Sequence, residues 1–296
     1  MSEPHMSDLQ MSDLQLQSQK SMEAAYAESR RIKHEQFKYR TGVRVAQLAL
    51  VLGIVAIWQV GGGVLFDPFY LGSPKGIATV LLHDLQDVQF YRDLRITGIE
   101  MGLGYCLGAF SGIALGALFA RWRFAADVFN PFFVALNSIP RIALAPLLII
   151  WFGIDLSSKI VLSATLVFFL MFFSTLAGIR GVDEAIINVA RVMGANRRQI
   201  FFKVQLPGAL SWIMNGLRLS LPFALIGVIV GEFLAASSGL GYRLNMYSTS
   251  YNTNGTFAML IVMMVAMMAL NTLISWIEAK AMGSRAVSTG PGLTSA

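Results

Sequence analysis

Long apolar runs alternate with short polar, basic ones along most of this chain. Six runs, at roughly 45–65, 98–120, 128–152, 157–179, 212–236 and 256–278, each approach the ~20 residues that a helix needs to cross a bilayer. The pattern predicts an all-α membrane protein with six transmembrane helices. Between the first two runs, a polar interval holds a short amphipathic helix around Ile77–Leu85. Residues 1–44 form a polar tail: Met6–Gln10 repeats as Met11–Gln15, and a basic segment follows at 26–44. The segment from 281 to 296 is Gly-, Ser- and Thr-rich; it and residues 1 to about 25 are expected to be disordered. Residues 26–44 read either as a helix on the inner leaflet or as a simple topology signal. The start of the chain lacks a basic n-region and an apolar core, so it does not read as a signal peptide.

Individual runs carry more than hydrophobicity. The second has Gly104, Gly108, Gly112 and Gly116, one every four residues, a face on which another backbone can approach closely. The third contains Pro131, Pro140 and Pro146, so its helix is bent or broken. Arg141 follows Pro140 directly, and a guanidinium at that depth needs water or a partner. It serves either an anion path or as the partner that holds the kink. The fourth run is bulk apolar, rich in Phe168, Phe169, Phe172 and Phe173. The fifth carries Arg218 near one end and Glu232 near the other, followed by Ser237-Ser238-Gly239-Leu240-Gly241. An intramembrane carboxylate is a functional candidate by default, the alternative being a structural pair. Glu100, in the second run, is open to the same two readings. The methionines of the sixth run, Met259 to Met268, read as adaptable packing.

One polar interval differs from a plain loop. From Asp183 to Pro207 the chain reads DEAIINVARVMGANRRQIFFKVQLP. Ala185, Val189 and Val192 make one helical stripe, and Ile200, Phe201 and Val204 make a second. Gly194 breaks the pattern between them, as a glycine past a helix C-terminus does. Pro207 is expected to end the second helix. Helices over 185–193 and 196–205, hinged at a glycine and studded with arginines, form a docking element.

Charge fixes the expected orientation. Lys and Arg number seven in residues 1–44, two at Arg121 and Arg123, five in 180–205 and two in the last segment. The intervening loops hold only Lys75, Arg92, Arg95, Lys159 and Arg243. That bias puts both termini and the docking element in the cytoplasm. With 55% hydrophobic and 14% charged residues, the net charge of +6 needs no nucleic-acid partner. Cys106 is the single cysteine and the three histidines lie far apart, so neither a disulfide nor a metal centre is expected.

No G-x-x-x-x-G-K-[ST] segment cradles a nucleotide, and no catalytic triad or paired-carboxylate pattern stands out. The chain therefore reads as a mover of solute, not an enzyme. Its energy would come from a partner. The competing classes are a secondary transporter driven by an ion gradient through Glu100 or Glu232, and a channel or scaffold. Six spans are few for a full path, so two copies about a two-fold axis are expected.

The docking element resembles the coupling loop of ABC importer membrane subunits, which runs Glu-Ala-Ala, three residues, Gly, nine residues, Ile-x-Leu-Pro. Here Gly194 is followed by nine residues and then Val204-Gln205-Leu206-Pro207, with Asn188-Val189-Ala190 in the place of the acidic triplet. Thr97–Ala120, Ser138–Gly153 and Gly231–Tyr242 are similar to permeases for nitrate, taurine and alkanesulfonates, a branch that also takes thiamine precursors and aromatic acids. That branch usually has Arg at Glu100, Lys or Arg at Arg141, and a proline near Leu170. The resemblance implies a type I importer transmembrane fold over 45–280, with its core at about 91–279, in a bacterial inner membrane. It implies two cytoplasmic ABC ATPase subunits that bind ATP-Mg, a periplasmic solute-binding protein, a homodimer, and no cofactor on this chain. Glu184, Asn188, Ala190, Arg191, Gly194, Ala195, Arg197, Leu206 and Pro207 would meet the ATPase. Arg141, Glu100, Arg218, Glu232, Ser237 and Ser238 are candidates for the translocation path or its gate.

Overall fold

The computed structural model describes residues 38–39, 41–61 and 67–282, and the chain divides into two units, Met1–Asp67 and Pro68–Ala296. The expectations for residues 1–37 and 283–296 lie outside the described residues. The first unit holds α1, Thr41–Gly61, 21 residues long and apolar enough to cross a membrane. It starts before the expected 45 because a spanning helix continues past its hydrophobic window.

The second unit begins with α2 (Pro68–Leu71) and α3 (Pro74–Asp84). The helix expected near Ile77 starts three residues earlier, where Ser73 accepts the Gly76 N–H and Pro74 occupies the first turn. Then comes α4, Val88–Arg121. The apolar pattern placed this span at 98–120. The helix starts ten residues sooner because Asp87 caps it, accepting the Gln89 N–H at 2.9 Å. At 1.5 Å per residue, its 34 residues reach about 51 Å, well past a ~30 Å hydrocarbon core. The helix is longer than one crossing requires.

The third span is α5 (Arg123–Ser138), a 3₁₀ turn (Arg141–Leu144) and α6 (Ala145–Phe152). The two halves bend by 77°. The break falls at Ile139 and Pro140, both in extended backbone, while Pro131 is carried inside α5 and Pro146 in the first turn of α6. A single proline therefore makes the break. Next come α7 (Leu156–Arg180), α8 (Glu184–Val192), α9 (Arg197–Ile200), a π-helical stretch (Phe201–Gln205), α10 (Leu206–Gly208), α11 (Leu210–Ala235), α12 (Leu240–Thr249) and α13 (Thr253–Met282). Among the described residues, five helices are long and apolar enough to span, and the bent pair makes a sixth.

The fourth span is the core. α7 packs between α4 and α11, and Val167 and Met171 are fully buried. A Cβ on Gly108 would sit 2.5 Å from the Ala164 carbonyl oxygen, and one on Gly112 2.6 Å from that of Phe168. Gly104 and Gly116 press on Ser163 and Phe172 in the same way. α7 also meets glycines of α11: a Cβ on Gly227 would lie 2.6 Å from the Ser163 Cα. Backbones this close gain dispersion along their whole length, which lipid cannot replace. Phe133 of α5 stacks on Phe172 at 4.5 Å and ties the bent span to α7.

Candidate functional site

The segment expected to dock is two capped helices joined by a glycine. Asp183 caps α8 by accepting the Ala185 N–H at 2.8 Å. Met193 closes the helix, and Gly194 turns the chain at φ +84°, where an L side chain is strained. Asn196 and Gln199 then cap α9 reciprocally, each accepting the other's backbone N–H at 2.8 Å. Ile200 and Phe201 are buried and anchor the hinge to the bundle, and Arg121 lies over the Phe201 ring at 5.6 Å.

Pro207 does not end the second helix as the sequence suggested. The chain stays helical from α9 through the π stretch and α10, with a single turn residue, Ala209, before α11. Pro207 falls in the first turn of α10, where a missing N–H costs little, and the wider π stretch takes up the change in register. The helical run from α9 thus leads into α11 with one turn residue between. Arg218 lies on the exposed side of that helix and Glu232 is fully buried near its end.

α8 has two faces. Ile186, Val189 and Met193 are 55, 60 and 82% exposed and form an uncovered apolar stripe. Glu184, Ile187, Asn188 and Arg191, spaced along the opposite side, line a cleft of about 1110 Å³. Arg197 joins that lining, and Arg191 donates to Asn188 at 2.9 Å. The expected stripe residues Ala185, Val189 and Val192 are exposed as well, Val192 at 89%, and belong to the same uncovered side. Ala190 and Ala195 are half-buried at the hinge, where the Ala195 N–H donates to Ala190 at 3.0 Å. Leu206 is half-buried and Pro207 exposed.

At the other end, the chain folds back through a helix that the sequence did not suggest. Ser237 and Ser238 lie in the turn between α11 and α12. Gly239 follows at φ +109°, its Cα set against the Glu232 carboxylate where a Cβ has no room. Three successive N–H groups at the start of α12 are taken by side chains. Gly239 donates to Asp93 at 2.9 Å, Leu240 to the Thr97 hydroxyl at 2.9 Å, and Gly241 to Glu232 at 2.6 Å. The Thr97 hydroxyl donates to Glu232 at 2.7 Å. Glu232, expected to form an ion pair or gate, is thus held by neutral donors. Arg243 is 6% exposed and bonds to Asp93 and Asp87 at 2.6 Å and to Asp84 at 3.3 Å. Burial works against its charge, but the bonds to Asp87 and Asp93 and the field of Asp84 outweigh it and raise its pKa. The Arg243 bond in turn lowers the pKa of Asp87. Tyr247 donates to Asp84 at 2.9 Å; burial and that carboxylate push its phenol up to about 12.

One layer deeper, Glu100 is fully buried and pairs with Lys159 at 3.6 Å. Lys159, counted above with the loop charges, is in α7 and donates to the Ile154 carbonyl at 3.0 Å. Arg141 turns back onto Asn137, bonding its side chain and, at 3.1 Å, its carbonyl, and lies over the Phe169 ring at 4.4 Å. Those contacts brace the break. Beside it, an apolar cleft of about 480 Å³ opens between Ile142, Pro146, Val230 and Phe233. Asp84, Asp87, Asp93, Thr97, Lys159 and Arg243 escaped the sequence reading. A lone arginine facing three aspartates in opposite-side loops was a signal of charge, but not of partners 150 residues apart.

Residues 110–280 match the family described as binding-protein-dependent transport system inner membrane component. A putative aliphatic sulfonates transport permease protein of Bacillus subtilis is 35% identical, over 79% of this chain and 85% of its own length. The formylaminopyrimidine transport permease protein of Halalkalibacterium halodurans is 33% identical, over 72% of this chain and 84% of its own. The taurine transport system permease protein of Escherichia coli is 29% identical, over 67% and 76%. Among solved structures, an inward-facing MetNI methionine ABC transporter chain aligns with a TM-score of 0.50 at 22% identity, covering 67% of this chain and 94% of that one, a likeness of fold.

Proposed function

The chain belongs to the family of binding-protein-dependent transport system inner membrane components, and from that premise we propose that it is the permease subunit of an ATP-driven importer. The hinge carries this reading: α8 offers an uncovered apolar stripe beside a glycine at positive φ, and the helical run behind it continues into α11. A cytoplasmic ABC ATPase docks on that stripe, one copy per permease in a homodimer. ATP-Mg binds and is hydrolysed on the ATPase. Its closure moves α8 and α9, α11 tilts with them, and access alternates across the inner membrane, both termini staying inside. A periplasmic binding protein delivers the solute. Relatives named for aliphatic sulfonates and for taurine favour a small anion of that class. Glu100, Arg141, Arg218, Glu232, Ser237 and Ser238 remain the path and gate candidates. The apolar cleft beside Arg141 suits the carbon skeleton of such a solute.

The test is association. Gly194→Val, which forces a β-branched residue to φ +84°, and deletion of 188–198 should each abolish co-purification of the ATPase and uptake while leaving membrane insertion intact. Normal uptake by either variant would remove the hinge from the mechanism. Arg141→Ala should lower anion uptake without weakening ATPase association; unchanged uptake leaves that residue as a brace for the kink alone.

A further inference from the structure

The cleft behind α8 is unlike the stripe on its other face. Four guanidinium groups line it, Arg121, Arg180, Arg191 and Arg197, each from a different helix. Glu184 is the one carboxylate in the lining. Asp127 reaches Arg180 at 3.4 Å, but both side chains are exposed and water screens the pair. The cleft thus gathers positive charge that its own walls do not balance. Its size, about 1110 Å³, is slightly above the ~300–1,000 Å³ of common ligand sites, roomy enough for a lipid headgroup.

Its level in the membrane is set by the helices. Arg121 and Arg180 are the last residues of α4 and α7, both long enough to span, so the cleft opens where the hydrocarbon ends. Trp122 and Phe124, 59 and 84% exposed, line the same opening, and aromatic rings favour the headgroup layer. Guanidinium forks at that depth match the oxygens of a phosphodiester in pairs, which a point charge does not. We propose that this cleft is a binding site for the phosphodiester headgroup of an anionic membrane lipid. The bound lipid bridges α8 and α9 to the ends of α4 and α7, so it stiffens the hinge from behind while the apolar stripe stays free for a protein partner. The site rests on the membrane-spanning reading of the chain and not on the ATPase.

The experiment uses the purified full chain without ATP. The protein is placed in nanodiscs of phosphatidylcholine containing phosphatidylglycerol, extracted into detergent, and its retained lipids are identified by native mass spectrometry. Phosphatidylglycerol should be retained over phosphatidylcholine, and Arg121→Gln with Arg180→Gln should weaken retention about tenfold, the effect of losing a charge-assisted pair. Arg180→Gln alone, at an exposed position, should give a smaller loss if the double variant proves unstable. Equal retention by wild type and variants overturns the site. So does displacement of the lipid by inorganic phosphate, which would make the ligand a diffusible anion. Loss of ATPase association by the variants in pure phosphatidylcholine also overturns it, because the cleft would then belong to the ATPase.

Discussion

The two ends of the bundle solve opposite problems. At the α12 end, each charge described finds a partner within the chain: Arg243 takes up three aspartates, and the first N–H groups of α12 are spent on Asp93, Thr97 and Glu232. At the α8 end, an apolar stripe lies uncovered and four guanidinium groups face a cleft. A closed network specifies one geometry and resists change. An unfilled surface has affinity left for something else. The difference separates what the chain does for itself, holding a turn rigid, from what it leaves to others.

The comparison breaks most visibly at Arg243. Arg243→Ala leaves Asp84 and Asp93, 1 and 2% exposed, without their cation. Removing one partner of a buried pair costs about 3–5 kcal/mol. The expected result is a large fall in the melting temperature of the detergent-purified protein, with α12 losing protection in hydrogen exchange first. A melting curve like that of wild type would mean that water already compensates the aspartates. At the α8 end, by contrast, Arg197→Gln should leave the melting temperature unchanged, because its side chain is exposed.

A second break tests the middle of the bundle, between the two ends. Gly108→Val puts a branched side chain where the Ala164 carbonyl lies 2.5 Å from a bare Cβ. Neither helix can yield without moving its backbone, so about 1–3 kcal/mol of overpacking strain is expected. Gly102, on the same helix but with no atom within 4 Å of its Cβ position, is the control. Gly102→Val should be near neutral in thermal melts, and equal effects at the two positions would deny that α7 sets the spacing.

What was legible in the sequence divides along the same line. Periodic features survived the step to structure: the glycine step of α4, the paired stripes around Gly194, and the break near Pro140 are local and repeat on the helix itself. The α12 end was illegible because its meaning lies in pairings such as Arg243 with Asp93, and one sequence carries no record of which distant residues meet. Two errors were local and instructive. Pro207 read as a stop because proline removes a donor, yet a π stretch before it lets the helix pass. The start of α4 read as loop because Val88–Arg95 is polar, yet its polar residues are what clasp α12.

The finest distinction between the ends concerns pH. Tyr247 donates to Asp84 only while its phenol is protonated. Its pKa in the folded chain is about 12 against an ordinary 10.0, raised by burial and then by Asp84. A pKa raised on folding means a contribution that is whole below pH 10, shrinks as pH rises, and is gone above the folded value. Tyr247→Phe removes one hydrogen bond, about 0.5–1.5 kcal/mol, and leaves the ring in place. The variant should therefore melt slightly below wild type at pH 8, and the gap should narrow steadily as pH rises past 10. Among the described residues the α8 end carries no such tyrosine bond, so Val189→Ala on the α8 stripe should show an offset, if any, that does not vary across the same range. A Tyr247→Phe gap that stays constant with pH would place the phenol outside the network that closes this end.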